Sequence, residues 1–213
     1  MSKLADVKSL YNAELSKEYA RLSGLRLGLL TTTDADFALN GLFLDLMALH
    51  NLDFSSTYRL LAQFTSVDDA LFPQYLEMVL PATQVSEALR PHAVEKMTAF
   101  FKQYEARLNL PAELAAAATT PSRAIRQNAV NPRFVLRQWV LEEIIAKLDT
   151  PTPDLLALDL VLEMASEPYR SYGEVILGEE SLENGLEKDA EKQKELCGMG
   201  NPAMLGFQCS CSS

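Results

Sequence analysis

Asn131-Pro132-Arg133-Phe134-Val135-Leu136-Arg137, answered downstream by Glu167-Pro168-Tyr169, is the stretch from which the rest of the chain can be read. An Asn side chain can cap a helix, and a proline suits the first helical position, where its missing N–H and fixed φ cost nothing. The pattern therefore predicts a helix from Pro132 to Leu148. At 100° per residue, Phe134, Val140, Leu141, Ile144, Ile145 and Leu148 share one broad apolar face. Arg137 falls in the middle of that face, so its guanidinium must snorkel outward or be paired with a carboxylate or phosphate; a buried structural ion pair is the simpler reading. A cation at Arg133, in the first turn, opposes the helix dipole and calls for a nearby acid or anion.

Downstream, Thr150-Pro151-Thr152-Pro153-Asp154 reads as a turn into a second helix through Leu155, Leu158, Val161, Leu162 and Met164, ended by Pro168, so that the two helices form a hairpin. Beyond Tyr172 the composition shifts. Residues 179–195 are rich in Glu and Lys and read as an exposed helix or partly disordered linker, a tether for a tail with glycines at Gly198, Gly200 and Gly206. The organisation expected is a helical domain over residues 1–172 and an acidic tether with a flexible Cys-rich tail over residues 173–213.

Upstream, apolar residues at helical spacing predict helices over residues 3–30 and 34–51, from Asp53 onward, up to Leu80, from Ser86 or Pro91 to Leu108, and in short pieces after Pro111 and Pro121. Expected inward positions are Phe37, Leu42, Leu44, Leu46 and Leu49 on the second helix, and Val94, Met97, Phe100, Phe101 and Tyr104 on the long one. The first helix carries Leu4, Val7, Leu10, Tyr11, Leu15, Tyr19, Leu22 and Leu25, and needs partners on more than one side, as would suit a piece of a longer chain. Arg123, Arg126, Arg133 and Arg137 form a cationic run for which a solvated face is the simpler reading.

With 213 residues, 48% of them hydrophobic, and only 9 Gly and 10 Pro, the chain can build a substantial core, and the lack of strand-type alternation makes it all-α. A net charge of -10 without a basic patch argues against nucleic-acid or anionic-membrane partners. No apolar run is long enough to span a membrane, and the N-terminus is not a secretory signal. Nor is it an Arg-rich presequence, because Asp6 and Glu14 precede the first arginine, Arg21. Hydrolytic triads lack their histidines, since only His50 and His92 occur and no Gly-x-Ser-x-Gly segment accompanies them. The cysteines, Cys197, Cys209 and Cys211, all lie in the last seventeen residues, so no disulfide framework holds the fold, and their spacing is not that of a zinc finger. Cys209 and Cys211 are too close for an unstrained bridge, so a lasting partner of Cys211 would be Cys197 or another molecule.

The Asn131–Arg137 segment, the Pro168-Tyr169 pair and the terminal Cys211-Ser212-Ser213 together resemble the selenoprotein O family. The resemblance implies a protein adenylyltransferase (AMPylase) of protein-kinase-like, pseudokinase fold, of which this chain would be the C-terminal helical part. It implies AMP transfer from ATP, with Mg²⁺, to Ser, Thr or Tyr hydroxyls of protein substrates, and residence in the mitochondrion in a eukaryote or the cytoplasm otherwise. The N-terminal kinase-like half of the same enzyme would be the partner, holding the ATP and metal, with no cofactor held by this chain. Asp36-Phe37-Ala38 and Asp53-Phe54-Ser55 lack the glycine of a kinase metal-binding turn and read as helix caps, so no catalytic residue is carried over. Cys211 stands where the family has a terminal cysteine or selenocysteine, which implies a redox role through a regulatory disulfide with a cysteine of the missing half. The alternative reading is a free-standing α-helical protein-interaction module without enzymatic activity.

Overall fold

The computed structural model describes residues 2–178 and 187–200, with side chains within 7–178 and 190–200. Every regular element among the described residues is helical, in agreement with the all-α expectation. Two compact units, residues 1–130 and 131–213, are described separately below.

The first unit contains α1 (Ser2–Arg26), α2 (Asp36–Leu49), α3 (Phe54–Leu60), a 3-10 turn at Leu61–Gln63, α4 (Phe72–Val79), α5 (Arg90–Leu108), α6 (Pro111–Ala117) and α7 (Arg123–Asn128). Local chemistry sets the starts: Asp53 caps α3 by accepting from the Ser56 N–H at 2.8 Å, and prolines open α4, α5 and α6. Ser122, one residue past the expected Thr-Thr-Pro start, caps α7. The core is aromatic and centres on α5, where Met97, Phe100, Phe101 and Tyr104 are buried together with Ala93. Phe43 of α2 stacks on Phe100 with centroids 4.4 Å apart, and Phe64 stacks on Phe101 at 4.9 Å.

The inward face expected for α2 is not the one observed. On α2 the buried face is Leu39, Asn40, Phe43, Leu46 and Met47, whereas Phe37 and Leu49 are exposed. Buried Asn40 accepts from the Tyr58 hydroxyl at 2.6 Å, and this polar pair turns the helix so that Phe43 meets Phe100. On α1, Val7, Leu10, Tyr11, Leu15, Tyr19, Leu22 and Leu25 are all exposed. Tyr19 is tilted against Phe37 of α2 and accepts from Asn40.

The second unit contains α8 (Gln138–Leu148), α9 (Leu155–Ser166) and α10 (Glu187–Leu196). The α8–α9 hairpin is present, and Asp154 caps α9 through the Ala157 N–H. The start of α8 departs from expectation: residues 131–137 are not helical, and Arg137, extended at φ -94° and ψ 157°, occupies the N-cap position. The cause lies in the backbone donors. The N–H groups of Arg133 and Phe134 both donate to the Pro168 carbonyl, at 2.8 and 3.0 Å, which holds the segment extended. Phe134, Val140 and Ile144 are buried as expected, whereas Leu141 and Ile145 face outward.

Tyr172, Leu196 and Cys197 share one core with Phe134, Val140, Ile144, Val161 and Met164, so the end of the supposed tether belongs to the packed body of this unit. Among the described residues, no helix is long and apolar enough to cross a membrane.

Candidate functional site

Two of the residues singled out in the sequence, Arg133 and Cys197, meet in the second unit at the carbonyl of Tyr172. Arg133 reaches it with Nε at 3.0 Å and places a second nitrogen 3.3 Å from the Gly173 carbonyl. The cation expected to need an acid is thus held by two backbone oxygens beyond α9. The same Tyr172 carbonyl lies 3.9 Å from Sγ of Cys197, a thiol that is 2% exposed. Pro168 supplies the carbonyl that pairs with the Arg133 and Phe134 N–H groups, so both halves of the motif meet through main-chain hydrogen bonds. Asn131 is fully buried, Pro132 is half-buried, and Tyr169 is exposed beside this junction. Arg137 is half-buried at the N-cap of α8, not in the middle of an apolar helix face. Cys209 and Cys211 lie outside the described residues.

The segment after α9 is shaped by close approach. Gly173 has φ +51°, and a Cβ there would lie 2.6 Å from the backbone nitrogen of Lys194, with the Ala190 carbonyl closer still. Only glycine lets α10 seat against this turn. Lys192 of α10 then pairs with Glu143 of α8 at 2.8 Å.

In the first unit, a cleft of about 240 Å³ is lined by Glu105, Glu113, Leu114, Ser122, Arg123 and Arg126, among others. Its charged groups hold the fold together. Arg123 donates to the Leu61 and Phe64 carbonyls, and Arg126 donates to those of Gly28, at 2.8 Å, and Pro121. Glu105 accepts from the Val67 N–H. Glu113 accepts from the Leu30 N–H at 2.7 Å and from the Thr31 N–H and hydroxyl at 2.9 and 2.6 Å. The reading of Arg123 and Arg126 as a solvated face therefore needs correction, since both guanidiniums are engaged with loop carbonyls.

A buried cation beside this cleft, Arg107, binds both acids and main chain. It lies 2.5 Å from Asp36 and 3.3 Å from Glu113, and it donates to the Thr31 carbonyl at 2.7 Å. Burial raises the Asp36 carboxyl, but hydrogen bonds from Arg107 and Thr33 outweigh it and hold the group below the ordinary carboxylate range. Glu113 follows the same balance: burial raises it, and bonds from Thr31, Leu30 and Arg107 bring it below its usual value. Sequence reading missed Arg107 as a centre, although its spacing from Phe100 and Tyr104 on the buried side of α5 was a signal. Among the described residues, no three His, Cys, Asp or Glu side chains gather as a metal site would require.

Residues 1–165 match the family model described as protein adenylyltransferase SelO. The chain is also similar to curated proteins named protein nucleotidyltransferase YdiU. The relative from Shewanella baltica strain OS185 is 25% identical over 173 residues, covering 77% of this chain and 31% of the relative. The one from Myxococcus xanthus strain DK1622 is 28% identical over 169 residues, covering 79% and 30%. The one from Chromohalobacter salexigens is 31% identical over 142 residues, covering 67% and 24%. The chain therefore spans less than a third of the length of these relatives.

Proposed function

Because the chain belongs to the SelO family of protein adenylyltransferases, we propose that it is the C-terminal helical part of a SelO-type enzyme of kinase-like, pseudokinase fold. The full-length protein would transfer AMP from ATP to Ser, Thr or Tyr hydroxyls of protein substrates. The observation that carries this reading is the family match, which runs without interruption through the first unit and into α9 of the second. In the first unit Arg123 donates to the Leu61 and Phe64 carbonyls and Arg126 to that of Gly28, so these guanidiniums serve the fold. On this reading ATP and Mg²⁺ would be held, as the family resemblance implies, by the N-terminal kinase-like half, which is the partner proposed for this chain. The terminal cysteines, Cys211 foremost with Cys209, would give the enzyme a redox-sensitive tail, and the mitochondrion is the compartment proposed for a eukaryotic source, the cytoplasm otherwise.

The test is a transfer assay with ATP labelled at the α-phosphate, run beside calorimetry with ATP·Mg²⁺. The chain alone is expected to give neither label transfer nor saturable binding; label transferred by this chain without another protein would overturn the reading. A second reading, an α-helical interaction module, is favoured by the exposed apolar residues of α1. The two are separated by the reading frame upstream of Met1. Continuation into a Gly-rich loop and an Asp-Tyr/Phe-Gly segment supports the enzyme, and its absence supports the module.

A further inference from the structure

The helix α10, Glu187-Lys188-Asp189-Ala190-Glu191-Lys192-Gln193-Lys194-Glu195-Leu196, carries one large apolar residue, and that residue is its last. Ten residues fall short of the length at which an isolated helix holds in water, and its polar face gives little to bury. It is nevertheless seated at several points along its length. Its middle fits over the bare Cα of Gly173, Lys192 pairs with Glu143, and Leu196 and Cys197 enter the core of the second unit. Three residues on, Gly200, at φ +75°, lies against the indole of Trp139, so close that a Cβ would be 2.6 Å from ring atoms Cδ2, Cε2 and Nε1. The Trp139 Nε1 is buried with no acceptor among the described residues.

We infer that residues 187–200 form a strap that docks on the second unit and releases as one piece while the rest of the unit stays folded, uncovering Cys197 and Trp139 together. Among the described residues, the docked state is held by close fit at Gly173 and Gly200, by the Lys192–Glu143 ion pair, by the Cys197 thiol against the Tyr172 carbonyl and by burial of Leu196 and Cys197 at the end of α10, while residues 190–195 stay exposed or only partly buried. Segments of that kind open sub-globally, below the free energy of complete unfolding. Release also lets water reach the Trp139 indole N–H. The consequence for the tail rests on the redox role proposed above. Cys211 is 11 residues beyond Gly200 but 38 beyond Gly173. Docking therefore limits its reach from the anchor to at most about 40 Å, and release extends the limit to more than about 120 Å. The strap would decide which partners the terminal thiol can meet.

The test uses the full chain with Cys209→Ser and Cys211→Ser, leaving Cys197 as the sole thiol, and Trp139, the sole tryptophan, as a fluorescent reporter. Iodoacetamide labelling is followed by mass and tryptophan emission by fluorescence, with far-UV circular dichroism in urea reporting helix content. Labelling of the parent is expected to be slow and to proceed at urea concentrations below the main transition. Gly173→Ala, which blocks seating, should speed it by roughly tenfold or more and shift tryptophan emission to the red, with helix content nearly kept. Lys192→Ala should do the same to a smaller degree, and it covers the case in which Gly173→Ala fails to fold. Labelling that begins only with the main unfolding transition, or that Lys192→Ala and Gly173→Ala leave unchanged, would overturn the strap. Neither result depends on adenylyl transfer or on the redox role of Cys211.

Discussion

Arg107 joins three parts of the first unit, since its guanidinium reaches Asp36 on α2, Glu113 on α6 and the Thr31 carbonyl in the connection between α1 and α2. All three charged groups are nearly excluded from solvent, with Arg107 at 6% exposure. Removing one member of such a set leaves uncompensated charge, so Arg107→Met should lower stability by about 3–5 kcal/mol, and Arg107→Lys should recover only part of that because it cannot reproduce the planar fork. Urea unfolding midpoints check both. The same set fixes a pH dependence. The carboxyls of Asp36 and Glu113 lie below their ordinary values in the folded chain. The folded protein thus releases these protons more readily than the unfolded one, and the stabilisation is complete above about pH 5 and lost as pH falls below about 4. In Arg107→Met the acid limb of the stability–pH curve should flatten, and an unchanged limb would show that other acids control it. Little of this was legible beforehand, because Thr31 and Asp36 lie 76 and 71 residues before Arg107 and only the apolar spacing of α5 hinted at what its last turn faces.

Among the elements, α8 shows where sequence reasoning holds and where it gives way. Its apolar spacing was legible in part: Val140 and Ile144 are buried as the period requires, whereas Leu141 and Ile145 face outward. Its start was not. Asn-Pro is a favourable helix opening only while the following N–H groups have no better acceptor, and here those of Arg133 and Phe134 find the Pro168 carbonyl. A long-range main-chain bond overrides a local cap, and nothing in a linear pattern announces it. Phe134 consequently enters the core from an extended segment. Phe134→Ala should cost about 3–5 kcal/mol through lost burial and the cavity left behind. Leu141→Ala, on the outward face of the same hairpin, should cost less than about 1 kcal/mol. A thermal or urea denaturation series of the two variants checks the contrast, and equal losses would place Leu141 in the core as the periodicity first suggested.

Taken as a whole molecule, the chain leaves its longest helix least covered. The sequence showed that α1 is too apolar to stand alone, and the structure leaves Leu10 and Tyr11 at 66% and 65% exposure. A helix of 25 residues with seven exposed large apolar side chains presents a stripe of the kind that marks an interaction surface. The stripe fits the family assignment, because the match covers only 31% of the Shewanella baltica relative, which has further chain with which to cover such a surface. It also makes a demand on the isolated chain. Apolar area held in water promotes association, so this chain should bind 1-anilinonaphthalene-8-sulfonate and sediment with a concentration-dependent average mass. Replacing Tyr11, Leu15 and Leu22 with Gln should reduce both signals while changing the unfolding free energy from urea titration by no more than about 0.5 kcal/mol per site, since surface substitutions that touch no core residue cost little. A large loss of stability in that variant would mean that these side chains support the first unit itself, and the stripe would then be part of the fold and not the surface on which a partner seats.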